Sequence, residues 1–255
     1  MNPEVLLSRI RVVLCRPSHP GNIGAAARAM KTMGLSRLSL VSPRHFPDPE
    51  AETRATGAVD LLHAATVVSS LGEALGDSVL AVGLSARSRD LGPPPSTPRA
   101  VMPVLLQAAA QGEVALVFGN ETVGLSNEEI QLCQLTVAIP TNPEFASLNL
   151  GAAVQVMSYE CRMAAFGEDV ATGRSEGATP FASPPATHAQ IEGLVAHFQQ
   201  VMTATGFFNP AQPGRLMPKL RRLLSRVQME QDEVNILRGI LGATQRPTSH
   251  GRKPE

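Results

Sequence analysis

Val114-Ala115-Leu116-Val117-Phe118 runs without a polar residue into Gly119-Asn120-Glu121-Thr122-Val123-Gly124-Leu125, and Ser126-Asn127-Glu128-Glu129 follows at once. A short, unbroken apolar run suits a strand buried on both faces of a parallel sheet. The Ser126 to Glu129 spacing is that of a capping box, so a helix should open there. The same order recurs on both sides of this stretch. Arg11 to Cys15 reads as a strand, and Asn22 to Met33 as a helix that Asn22 is placed to cap. Leu38 to Val41 is a second strand, and a helical stretch over Val59 to Leu75 is interrupted near Val67-Val68. Val79 to Gly83 is a strand, Arg99 to Ala110 a helix, and Thr136 to Pro140 the last strand. Ser147 is placed to cap a long helix through Ala165. Strands alternating with helices predict an α/β fold, a mostly parallel sheet of five or six strands with helices on both faces.

Such folds bind ligands beyond the carboxyl ends of their strands. Three segments with small residues and potential ligands fall there. They are Pro20 to Arg28, Phe118 to Leu125, and Ile139-Pro140 followed by Ala146-Ser147-Leu148-Asn149-Leu150. In the first, Gly21 and Gly24 allow close backbone approach, Asn22 opens a helix, and Arg28 lies within reach of a phosphate. In the second, Gly119 suits contact with a flat ligand, and Glu121 suits a ribose hydroxyl or a neighbouring arginine. In the third, Asn149 offers donor and acceptor, while Ile139 and Leu148 suit the two faces of an adenine. Singly, each segment is better read as a helix cap or an exposed turn. A dinucleotide-binding turn is disfavoured. The glycines do not follow G-x-G-x-x-G, and Ser42-Pro43 stands where that fold carries an acid.

Lys plus Arg and Asp plus Glu both number 22, so any nucleic-acid surface must come from local clustering. With no Trp and one Tyr, an aromatic base-stacking platform is not expected. Cys15, Cys133 and Cys161 have no zinc spacing and an odd count, which predicts reduced, buried thiols and no metal. No leader or membrane-spanning run is evident, so a cytoplasmic protein without membrane contact is expected. The expected organisation is a main domain over residues 1–166, a Gly/Pro/Ser-rich flexible linker over 167–187, a small helical domain over 188–245 and a tail over 246–255. Three helical patterns fill the small domain, His188 to Thr203, Pro218 to Val227 and Glu230 to Leu241.

In order, N-x-G-x-x-x-R at Asn22 to Arg28, G-x-E-x-x-G at Gly119 to Gly124 and S-L-N at Ser147 to Asn149 resemble the SpoU family of RNA 2′-O-ribose methyltransferases. Ala27 to Leu35, Ser85 to Arg89, Ala153 to Val156, Thr205 to Phe207 and Asn235 to Leu241 are similar to a tRNA-modifying branch of that family. That branch methylates cytidine or uridine at the first anticodon-loop nucleotide, position 32. The resemblance implies a C-terminal trefoil knot, a homodimer, S-adenosylmethionine as cofactor and tRNA as substrate. It implies cofactor contacts at Leu84, Ser85, Ala86, Gly119, Ile139, Ser147 and Leu148. It assigns Arg28 to the reaction, with Asn22, Glu121 and Asn149 at the other catalytic motif positions. Asn120, where a basic residue is common, and Pro140-Thr141, in place of small residues, depart from the pattern and bear on substrate preference. Ribosomal RNA as substrate, or a non-catalytic RNA-binding role, are the alternatives.

Candidate RNA contacts are His19, the pair Arg87 and Arg89, and a basic stripe of Arg215, Lys219, Arg222 and Arg226. The stripe runs beside an apolar one of Leu216, Leu220, Leu223 and Val227. A solvated helix face accounts for the charge pattern equally well.

Overall fold

The computed structural model of the chain describes residues 2–85, 95–167 and 183–245. Along the chain run α1 (Pro3–Ser8), β1 (Ile10–Cys15), α2 (Pro20–Met33), β2 (Arg37–Val41), α3 (Pro49–Ala55), α4 (Val59–His63), β3 (Thr66–Val68) and α5 (Leu71–Leu75). There follow β4 (Ser78–Leu84), β5 (Pro95–Ser96), α6 (Pro98–Ala109), β6 (Glu113–Phe118), α7 (Asn127–Gln131), β7 (Leu135–Val137) and α8 (Leu150–Phe166). Three further helices, α9 (His188–Ala204), α10 (Leu216–Ser225) and α11 (Gln231–Thr244), complete the described chain.

All seven strands pair in parallel, in the order β3-β2-β1-β6-β4-β7-β5. The sequence predicts five or six. The difference lies in β3 and β5, three- and two-residue strands too short to leave a periodic pattern. β3 also divides the expected helical stretch over Val59 to Leu75 into α4 and α5. Alternate residues serve opposite layers, as the pleat demands. Val12, Leu14, Val82, Leu116 and Phe118 face a core closed by α1, α2, α3, α4, α6 and α8. Val13, Cys15, Ala81, Ala115 and Val117 face a thinner layer containing Leu71, Leu75, Ile130 and Cys133.

Helix α2 is held between α3 and α8 at glycine contacts. A methyl on Gly24 would sit 2.1 Å from the Ala51 carbonyl oxygen, and one on Gly151 would sit 2.7 Å from the Ala25 Cβ. Gly24 therefore serves a helix crossing, not the ligand approach its sequence context suggests. Beyond the sheet, α9, α10 and α11 share a separate apolar core of Leu194, Val195, Met217, Leu224, Val234 and Leu241. Residues 184–186 pair with the start of α11, where the Gln231 N–H donates to the Pro184 carbonyl at 2.9 Å. Among the described residues no helix is long and apolar enough to cross a membrane.

Candidate active site

Central β1 and β6 are neighbours, so the loops leaving their carboxyl ends meet. The β6 loop turns sharply, with Gly124 at φ 70°. A methyl on Gly119 would fall 2.1 Å from the Gly124–Leu125 peptide, so that glycine is demanded by the loop's own closure. Asn120 accepts from the Thr122 and Val123 N–H groups and donates to the Arg16 carbonyl at 2.8 Å. Asn120 thus staples the two loops together. Arg16, at φ 51°, anchors the same junction by a bidentate pair with Glu129 at 2.7 and 3.1 Å.

Glu121 is directed inward. Its carboxylate accepts from the Ser18 N–H (2.9 Å), the Ser18 hydroxyl (2.8 Å), the His19 N–H (3.2 Å) and the Asn22 amide (3.0 Å). Partial burial raises its pKa, but the hydrogen bonds from Asn22 and Ser18 outweigh that and hold it at about 2. Sequence reasoning offers Glu121 a ribose or an arginine as partner; its acceptor positions are instead taken by the β1–α2 loop and Asn22.

Asn22 hands the order on. Its Oδ1 accepts from Asn149 Nδ2 at 2.8 Å, and Asn149 Oδ1 accepts from the Gly151 and Ala152 N–H groups at 2.9 and 3.4 Å. The chain of amides has a fixed polarity, since a carboxylate that only accepts stands at one end and helix N–H groups that only donate at the other. Two capping expectations are corrected here. His19, not Asn22, is the N-cap of α2, because Pro20 starts the helix two residues early. Asn149, not Ser147, caps α8, because Asn149 is the residue seated beside Asn22.

Arg28 is two turns further along α2 and exposed. It lines an open groove with Asn149, Ala152, Gln155, Arg54 and Thr56. Asn22, Glu121, Asn149 and Arg28 are therefore gathered at one place from distant positions in the chain.

Of the expected cofactor positions, Leu84, Ser85 and Gly119 lie at adjoining strand ends. Leu84 is beside Val137, and the Ser85 N–H donates to the Val137 carbonyl at 2.9 Å. Gly119 directly follows β6, which neighbours β4. Ile139 packs against the main core, whereas Ser147 and Leu148 are exposed, Leu148 at 40%. Ala86, Arg87 and Arg89 lie outside the described residues.

Of the remaining RNA candidates, exposed His19 contributes its backbone N–H to Glu121. Arg215, Lys219 and Arg226 are exposed on or beside α10, and Arg222 is half-buried. The apolar face of α10 is rotated from the expected stripe. Met217 and Leu224 are buried, while Leu223 and Val227 are half-exposed at 51% and 52%. Arg221, absent from the sequence-based set, pairs with Glu192. Ser18 and Arg16 also escape sequence reasoning, since neither belongs to a spaced motif.

A parallel sheet whose central strand ends gather residues from three separate segments defines a class, and comparison names it. Residues 9–159 match the SpoU rRNA Methylase family model, and the chain belongs to that family of methyltransferases. Residues 189–253 match the model described as tRNA methyltransferase TrmJ, C-terminal domain. The chain is 49% identical over 245 residues to the tRNA (cytidine/uridine/adenosine-2′-O-)-methyltransferase TrmJ of Pseudomonas aeruginosa, covering 94% of this chain and 95% of that one. It is 46% identical over 256 residues to the tRNA (cytidine/uridine-2′-O-)-methyltransferase TrmJ of Sodalis glossinidius, covering 97% and 99%. The crystal structure of TrmJ from Z. mobilis superposes with a TM-score of 0.80 at 32% identity, covering 92% of this chain and 99% of that one.

Proposed function

We propose that this protein methylates the ribose 2′-hydroxyl of a cytidine or uridine at position 32 of tRNA, using S-adenosylmethionine, as a cytoplasmic homodimer with a trefoil-knotted main domain. The observation that carries the reading is the hydrogen-bonded line Glu121–Asn22–Asn149, which ends beside Arg28 in an open groove. The TrmJ names of relatives that align along nearly the whole chain support tRNA over ribosomal RNA.

The strand ends suit the cofactor. Leu84 at the end of β4 and Ile139 just beyond the neighbouring β7 offer apolar flanks, and loop residues Phe145 and Leu148 are exposed. Leu84, Ser85, Ala86, Gly119, Ile139, Ser147 and Leu148 would hold it. S-adenosylmethionine supplies a methyl group already activated on a positively charged sulfur.

The protein must align the ribose oxygen with that methyl and help its proton leave. Alignment of this kind contributes several kcal/mol. Glu121 is not the base, because its acceptor positions are occupied and its pKa is about 2. A guanidinium does not give up its proton in a protein either. Arg28 instead holds the phosphate next to the target ribose and orients the hydroxyl, whose proton passes to that phosphate or to water. Asn149 sets the floor of the groove by fixing the first turn of α8. For the dimer, Tyr159, Met163 and Phe166 place an exposed apolar row on one face of α8.

Labelled S-adenosylmethionine, bulk tRNA and, separately, ribosomal RNA test the reading. Ribose label in tRNA with the wild type, reduced by about 100-fold or more in Arg28→Ala, is the expected result. Label in ribosomal RNA alone refutes the substrate, and undiminished turnover in Arg28→Ala refutes the role of Arg28.

A further inference from the structure

We propose that Arg54 is a second phosphate ligand for the RNA strand, forming with Arg28 a two-guanidinium seat for the backbone flanking the target ribose. The inference rests on the RNA-methyltransferase reading above. Arg54 lies in the last turn of α3, and its stem crosses the start of α2. Its Cβ is 2.9 Å from where a methyl on Gly24 would be, and its Cγ 3.5 Å from one on Gly21. The absence of a side chain at Gly24 lets the arginine stem lie over α2, and the space at Gly21 is shared with the Glu50 carboxylate, whose Oε1 is 2.8 Å from where a methyl would be. It lines the same groove as Arg28, Asn149 and Gln155.

The remaining chemistry of that groove selects an anion. Arg11, Arg16, Arg37, Arg99 and Arg221 are each paired with a carboxylate. Among the described residues neither arginine that lines the groove, Arg28 or Arg54, has such a pair, although Glu50 lines it as its single carboxylate; other arginines elsewhere also lack one. The Thr32, Thr53 and Thr56 hydroxyls donate to the carbonyls of Ala29, Pro49 and Thr53, so they hold no proton for a ligand. Charged donors facing the open space thus come from two guanidinium groups, and the floor between them is made of Ala25, Ala29, Gly151 and Ala152. Small residues beneath two forked cations leave room for a backbone and bind it through phosphate oxygens, without reading bases. RNA is favoured over a free anion because the groove is open and runs on to Asn149 at the end of the motif chain.

The test measures tRNA binding by the full-length wild type, Arg54→Ala and Arg54→Lys across roughly 50 to 200 mM salt. Arg54→Ala should weaken binding several-fold at low salt. It should also flatten the plot of log affinity against log salt by about 0.7 to 0.9, the loss of one phosphate contact. Arg54→Lys should keep the slope, because the charge remains, while binding less tightly than wild type. Affinity for S-adenosylmethionine, measured by calorimetry, should be equal in all three. A wild-type slope in Arg54→Ala overturns the proposal, and a lowered melting temperature with that slope assigns Arg54 to packing or to the dipole of α3. A wild type that binds S-adenosylmethionine but not tRNA overturns both this proposal and the substrate reading. Methylation of tRNA with an unchanged Arg54→Ala slope overturns this proposal alone.

Discussion

Replacing Glu121 by Gln keeps the shape of the side chain and removes its charge, which tests whether the amide chain depends on a partner that only accepts. One carboxylate oxygen serves both Ser18 donors and the other serves His19 and Asn22. In the variant one of those oxygens becomes an NH2 group, so two donors meet a donor. Asn22 cannot relieve this by turning over, because its Oδ1 would leave Asn149, whose own Oδ1 is committed to the N–H groups of α8. The native carboxyl is drawn from the ordinary 4.5 to about 2. At face value that is worth about 3 kcal/mol. The group is only partly buried, and solvent screening reduces the figure to about 1–2 kcal/mol. For a chain of this size the loss lowers the melting temperature by about 2–8 °C. Because the folded pKa is the depressed one, the stabilisation is complete above about pH 4.5 and is lost as pH falls toward 2. Thermal unfolding of wild type and Glu121→Gln should therefore differ by a constant amount between roughly pH 5 and 8, narrow below roughly pH 4.5 and converge only as pH falls through roughly 2. Methyl transfer should fall with the disordered Asn22 even where the variant is folded. Equal melting temperatures at neutral pH with full turnover, or a gap that persists undiminished at low pH, would refute the reasoning.

Two further outcomes follow from packing. Gly24→Ala should destabilise the protein by about 1–3 kcal/mol or more, because the added methyl meets the Ala51 carbonyl at 2.1 Å and backbone must move; denaturant unfolding checks this, and a neutral result would mean that α3 is free to shift. Burial raises the Cys15, Cys133 and Cys161 thiols, the latter two to about 12, so none should react with a thiol reagent at neutral pH until the fold opens; prompt labelling of native protein would count against the assigned burial.

The alternation of strands and helices was legible because each central strand is covered on both faces and so carries an unbroken apolar run. The edges were not, since two or three residues in β5 and β3 are too few to display a period. Caps were misplaced for a related reason. Ser147 and Asn149 both suit the end of the same helix, and the choice between them is made by Asn22, 127 residues away. Small residues misled differently. A glycine in a sequence announces that something comes close, without saying what; at Gly24 it is the backbone of α3, and at Gly119 it is the loop's own next turn. Asn22, Glu121 and Asn149 could be listed together from their motifs, but not connected, because the connection depends on β1 lying beside β6 and on α2 crossing α8. Ser18 marks the limit of what sequence spacing carries. It donates twice to Glu121 from a loop with no recurring spacing, and only the meeting of the two strand ends gives it a role. Arg54 lies beyond that limit for the same reason, since a helix-end arginine acquires meaning only when its unpaired charge is seen beside that of Arg28.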